Sequence, residues 1–179
     1  MTLVAASLLV TLGGASRDAL LARLVRAGVC LNPAALDLFR DARFTTAPAA
    51  VTLPVRVCSI ADLGLSSGGT FAEVLAAAAV AGLGPCPLEL AAYLRFQHLD
   101  QPEGARGHAP TQHRAPHGSI TVASCPLDDD DETPKGLYLR RIDDVPWLRG
   151  YRAGADHRWS PTDVMAFAIL SAPAGSGAP

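Results

Sequence analysis

Two stretches of this chain carry polar side chains of the kinds that bind or transform a ligand. Residues Cys86 to Pro102 read CPLELAAYLRFQHLDQP and set Glu89, Arg95, Gln97, His98, Asp100 and Gln101 among Leu88, Leu90, Leu94 and Phe96. An arginine near a helix end can pair with a carboxylate or grip an anionic ligand through two parallel hydrogen bonds. Gln97, Asp100 and Gln101 could extend that grip, and Glu89 or Asp100 could act as a general base if a pocket raised its pKa. The structural alternative is that these groups cap a helix and fix the turn before Pro102, because most polar clusters satisfy backbone groups. Cys86, His98 and Asp100 are also the residue types of a thiol nucleophile, its base and an orienting acid, but nothing in their spacing brings them together.

The second concentration interleaves Arg140, Arg141, Arg149, Arg152 and Arg158 with Trp147, Tyr151 and Trp159. Arginines beside aromatic rings suit a surface that stacks on a base and holds phosphate. Alternate residues of a strand face opposite ways, so Trp147 is expected in the core while some of the arginines stay in solvent. Asp143, Asp144 and Asp156 are close enough in sequence to neutralise part of this charge. The leading expectation is a binding module in which the 86–102 segment and the arginine-bearing hairpin face each other around a polar pocket for an anionic small molecule or nucleotide. Its candidate contacts are Glu89, Arg95, Gln97, Asp100, Gln101, Arg140, Arg149 and Trp159. The alternative is a protein-interaction or regulatory subunit, and a third reading is a hydrolase or transferase using Glu89 or Asp100.

No metal or cofactor is expected. His108, His113 and His117 fall in EGARGHAPTQHRAPHG (103–118), where a solvated Gly/Pro loop lacks the rigid support that metal ligation needs. The acidic run at 128–132 lacks the alternating ligands and the glycine of an EF-hand. GxxxxGK[ST], GxGxxG after a strand and HExxH are all missing, which leaves ATP-driven motors, ordinary dinucleotide enzymes and zincins unsupported.

The elements that must position these residues are readable from caps and periodicity. Ser16 is an N-cap for RDALLARLVRAG, which Gly28 stops, and Asn32-Pro33 opens a short helix carrying Leu36 and Phe39. Together they predict a helical hairpin over 16–44, followed by a connector at 45–54. VRVCSI (55–60) is a β-branched strand candidate. Thr70 and Glu73 stand at capping-box spacing before FAEVLAAAAVAGL, so each can satisfy a free backbone N–H. Pro87 is expected to open the helix of the 86–102 stretch. SITVASC (119–125), LYLRRI (137–142), VPWLRGY (145–151) and VMAFAIL (164–170) read as strands, with a hairpin turn at Asp143-Asp144 and a turn at Ser160–Asp163. The result is a single α+β domain over 1–170, a mostly antiparallel sheet packed against the N-terminal helices and the Thr70 helix, with a flexible tail at 171–179.

Composition sets the outer limits. The 179 residues are 49% hydrophobic, with a mean hydropathy of +0.22, enough apolar surface to build one core. A formal net charge of -2 offers no general attraction to nucleic acid or to an anionic membrane. Of the 15 Lys and Arg residues only Lys135 is a lysine, a skew that coding bias explains as well as selection for guanidinium chemistry. Four scattered cysteines with no CxxC pair fit a reducing cytoplasm, and Cys58 and Cys125 are expected to act as small hydrophobes within strands. MTLVAASLLVTLGGAS has no charge ahead of its apolar run, so a buried strand or short helix is preferred over an export signal. No apolar run reaches the ~20 residues that span a bilayer.

The motifs Cys86-Pro87-Leu88-Glu89, Leu94-Arg95-Phe96-Gln97, Asp100-Gln101-Pro102, Trp147-Leu148-Arg149 and Trp159-Ser160-Pro161 give the chain, from about Ser16 to Phe167, a further feature. It resembles a family of small bacterial proteins of uncharacterised activity that share CPxE, LRxQ, DQP, WLR and a late W-S/D-P. The resemblance implies one compact domain and no particular activity. Two departures stand out. The His-rich 105–118 segment intervenes where members pass from DQP almost directly into a strand, and Ala91 and Ala92 stand where members often have Gly and Pro.

Overall fold

The computed structural model describes residues 6–104 and 115–170, and three of its helices begin where a side-chain oxygen accepts a free backbone N–H. In chain order the elements are β1 (Ala6–Leu12), α1 (Arg17–Arg26), β2 (Cys30–Leu31), α2 (Pro33–Arg40), β3 (Val51–Ser59), a 3₁₀ turn (Ala61–Leu63), β4 (Gly69–Thr70), α3 (Phe71–Val80) and β5 (Leu83–Gly84). There follow α4 (Leu90–Gln97), β6 (Ile120–Val122), β7 (Gly136–Ile142), β8 (Val145–Tyr151), β9 (Arg158–Trp159) and β10 (Val164–Ile169). Ser16 caps α1 and Asn32 caps α2, while Thr70 and Glu73 form the reciprocal capping box of α3.

Eight strands form one mixed sheet in the order β1-β3-β10-β6-β7-β8-β2, with β5 added beside β10. Only β10 with β6 and β2 with β8 run parallel, so the fold is α+β with a mostly antiparallel sheet. β4 and β9 make a separate two-stranded ribbon. Asp143 and Asp144, both at positive φ, close the two-residue turn between β7 and β8. Such a turn twists with its strands and therefore fixes their register.

Register sorts the side chains onto two faces. Val10, Val55, Val57, Ala166, Val122, Leu137, Leu139 and Leu148 meet Leu20 and Leu24 of α1, Leu38 and Phe39 of α2, and Leu90 and Leu94 of α4 in the larger core. On the opposite face Cys58, Met165 and Phe167 pack with Val74 and Ala78 of α3 and with Trp159. Burial at ~25 cal/mol per Å² of apolar surface makes these two cores the main favourable contribution to folding.

Several expectations change. The helices at 17–26 and 33–40 form, but β2 between them pairs with β8, so the segment is not a plain helical hairpin. The connector ends at Ala50, because 51–54 belong to β3 and pair with β1. Pro54 suggests a break, yet the pairing of β3 with β10 ends at Val55, so on that side the proline interrupts no ladder. α4 starts at Leu90 and not at Pro87. Cys125 lies beyond β6 and is exposed. The tail and residues 105–114 of the His-rich loop, with His108 and His113, lie outside the described residues.

Asn32 carries more of this architecture than a cap does. Its Oδ1 accepts from Ala35 N at 3.1 Å and from Gly150 N at 2.8 Å, and its Nδ2 donates to the Gly150 carbonyl at 2.9 Å. The amide therefore imitates one more residue of β2 beside β8. Asn32→Ala should lower the unfolding free energy by about 2 kcal/mol, against about 1 kcal/mol or less for Ser16→Ala, whose side chain has a single partner. Urea titrations of both variants check the difference, and equal losses would contradict it.

Candidate functional site

Every residue of α4 from Leu90 to Arg95 is buried, because the helix packs against β1, β7 and β8. A long cationic side chain in that position cannot reach water. Arg95 is 0% exposed and points beneath the β7–β8 hairpin. Its Nη1 donates to Gln101 Oε1 at 2.9 Å and to the carbonyls of Arg140 and Trp147 at 3.2 and 3.3 Å. Those two carbonyls belong to cross-strand partners, so one guanidinium nitrogen sits over one rung of the ladder. Gln101 Nε2 in turn donates to the Gly118 carbonyl at 2.7 Å and to the Leu139 carbonyl at 3.5 Å.

Burial, and next the charge of Arg141, lowers the Arg95 pKa to about 10 against the opposing pull of Asp100, so Arg95 remains a cation at neutral pH. Its Nε and Nη2 have no hydrogen-bond partner. Neighbouring His98 is held below its ordinary pKa by burial and then by Arg95, and its Nε2 also lacks a partner. Gln97 is exposed and its Nε2 reaches the Leu9 carbonyl at 3.4 Å, while Asp100 is exposed.

Glu89 lies at the other end of α4. It makes no cap bond to its own helix; its Oε1 instead accepts from Ala47 N at 2.7 Å, tying the 41–50 loop to α4. The side chain is 2% exposed and its Oε2 has no partner. Burial raises its pKa against the lowering effect of the Ala47 bond. Beside it is a cleft of roughly 320 Å³ lined by Leu12, Thr45, Thr46, Ala47, Val51, Leu53, Pro87 and Glu89. Of the two carboxylates considered as bases, only this one is buried.

Arg140 and Arg149 occupy a third place. Leu137, Leu139 and Leu148 enter the larger core, so Tyr138, Arg140, Trp147 and Arg149 alternate onto the opposite face. All four are half-buried. α3 packs on that face against Cys58, Met165 and Phe167, and its main contacts are with β4, β5 and the 3₁₀ turn. The Arg149 guanidinium lies 5.1 Å from the Trp147 ring centroid, and Arg140 is the cross-strand partner of Trp147. Ion pairs among the described residues are formed by Arg43, Arg141, Arg152 and Arg158, not by Arg140 or Arg149. The Nε of each of those two has no partner.

The eight candidate residues therefore do not line one cleft. The 86–102 segment and the hairpin do meet, but the Arg95 bonds close that contact onto backbone carbonyls. Trp147 and Trp159 exchange their expected roles. Trp147 is half-buried on the open face, whereas Trp159 is 6% exposed and packs edge-on against Tyr151 at 5.5 Å and His157 at 4.9 Å. Tyr138 was missed, although its alternation with Leu137 and Leu139 marks it as facing away from the main core. The other cleft residues were missed because they come from three distant segments. Among the described residues no group of three His, Cys, Asp or Glu is arranged to hold a metal ion, and no helix is long and apolar enough to cross a membrane.

Compared with known proteins, the chain matches no family, no curated protein and no solved structure. Its chemistry has to be read from its own geometry.

The raised pKa of Glu89 has a measurable sign. Protonation is favoured in the folded state, so the associated stability is fully present below the ordinary carboxyl value of 4.5 and is lost as pH rises through the raised value. Glu89→Gln cannot lose this stability. The difference in Tm between variant and wild type should therefore move in favour of the variant as pH is raised from about 4 to about 8, and a constant or opposite difference would contradict the assignment.

Proposed function

We propose that this protein is a binding module for an anionic small molecule of nucleotide type, held on the open face of β7 and β8. The single observation that carries this reading is the grouping of Trp147 with Arg140 and Arg149 on the sheet face turned away from α2 and α4. A base can stack on Trp147 or Tyr138, and stacking on an aromatic side chain is worth roughly 1–3 kcal/mol. Phosphate oxygens would take the guanidinium donors that no carboxylate occupies. This moves the anion site expected between the 86–102 segment and the hairpin to the other side of the sheet, and it leaves Arg95 and Gln101 to hold the fold. Placement in a reducing cytoplasm and kinship with the small bacterial family that shares the DQP motif belong to the same proposal.

A second reading is a protein partner that adds a strand. β1 is an edge of the sheet with no charged residue, and Leu9 on it is 70% exposed. Long uncharged edges are templates for pairing with another chain.

Thermal-shift titration with ATP and with inorganic phosphate separates the two. The nucleotide reading expects ATP to raise Tm, Arg140→Ala and Arg149→Ala each to weaken ATP by about tenfold, and Trp147→Ala to weaken ATP but not phosphate. An absent ATP response, or variants that respond as the wild type does, would reject it. A stable complex on pull-down that survives Arg149→Ala would favour the partner strand.

A further inference from the structure

The cleft beside Glu89 has a chemistry opposite to that of the arginine face. Its walls are Leu12, Val51, Leu53 and Pro87, with Thr45 and Thr46 adding hydroxyls. Val51 is 50% exposed, and Thr45 and Pro87 are also exposed, so the cleft opens to solvent on that side. At roughly 320 Å³ it is at the small end of ligand-sized cavities.

We infer that this cleft binds a small alkylammonium compound, the ammonium on Glu89 and the alkyl chain against Leu12, Val51 and Leu53. Glu89 has one oxygen committed to the Ala47 N–H and the other buried without a partner. A buried carboxylate oxygen without a donor costs the desolvation free energy of that group, and an apolar wall returns none of it. Among the described residues no Lys or Arg lines the cleft to neutralise the charge. An ammonium supplies both missing features at once, a charge-assisted hydrogen bond to Oε2 and a counter-ion. An alcohol supplies the donor alone, and a carboxylate or phosphate supplies neither and meets a like charge. The pKa of Glu89, raised by burial, is consistent with a carboxyl group that lacks a cation. The site is separate from the anion-binding face, and neither proposal depends on the other.

Amide chemical-shift titrations of the full chain with n-butylammonium, n-butanol and n-butyrate test this. The inference expects butylammonium to shift the Ala47 amide, which reports on Glu89 directly, together with Val51 and Leu53, with butanol weaker and butyrate inert. Glu89→Gln keeps an acceptor for Ala47 but should weaken butylammonium by about tenfold or more. Val51→Trp leaves Glu89 in place and fills the mouth of the cleft, so it should abolish the response. Equal shifts from butylammonium and butanol would overturn the assignment, as would no movement of the cleft amides or unchanged amine binding in Val51→Trp. The Val51→Trp result decides the matter even if Glu89→Gln does not fold.

Discussion

A guanidinium with no exposure to water is the constraint around which this fold is arranged. Removing such a charge from solvent costs several kcal/mol, and it is tolerated only where fixed acceptors replace the lost water. Arg95 finds them in Gln101 and in the carbonyls of Arg140 and Trp147. Gln101 is itself fixed by the carbonyls of Gly118 and Leu139. The end of α4, the turn that follows it, the approach to β6 and the middle of the β7–β8 hairpin must therefore assemble together. Each supplies part of the environment that makes the buried cation acceptable.

The sheet face opposite α4 inherits its character from this arrangement. With Leu137, Leu139 and Leu148 committed to the core under α2 and α4, period-two geometry sends Tyr138, Arg140, Trp147 and Arg149 outward. A slip of one residue in the hairpin would invert both sets, and the two aspartates at positive φ hold the register against it. The proposed binding surface is thus a by-product of packing on the other face. Of the acids at the hairpin turn, Asp144 pairs with Arg141.

Where caps or tight turns are local, the sequence was legible. Ser16, Asn32-Pro33 and the Thr70–Glu73 box place three helices, and Asp143-Asp144 places the hairpin. What could not be read depends on contacts between distant segments. β2 exists only because Cys30 and Leu31 lie beside Trp147 and Leu148, and Val51–Pro54 are a strand only because β1 pairs with them. Trp147 and Leu148 are both apolar, so the sequence alone does not say which turns inward; the main core admits Leu148. Arg95, Gln101 and Glu89 stood out as polar residues in apolar surroundings. Whether each touches a ligand or the backbone depends on Ala47, Gly118 and Arg140, all remote in the chain.

Arg95→Met tests this account most directly, with urea unfolding and ATP-dependent Tm measured on the same preparation. The substitution keeps an apolar side chain of similar length while leaving Gln101 and two strand carbonyls without their donor, so the unfolding free energy should fall by about 2–4 kcal/mol. Because Arg95 lies on the other side of the sheet from Trp147 and Arg149, the ATP response of the folded variant should equal that of the wild type. A variant with wild-type stability and no ATP response would contradict the account, making Arg95 a ligand contact and not the tie that holds the fold.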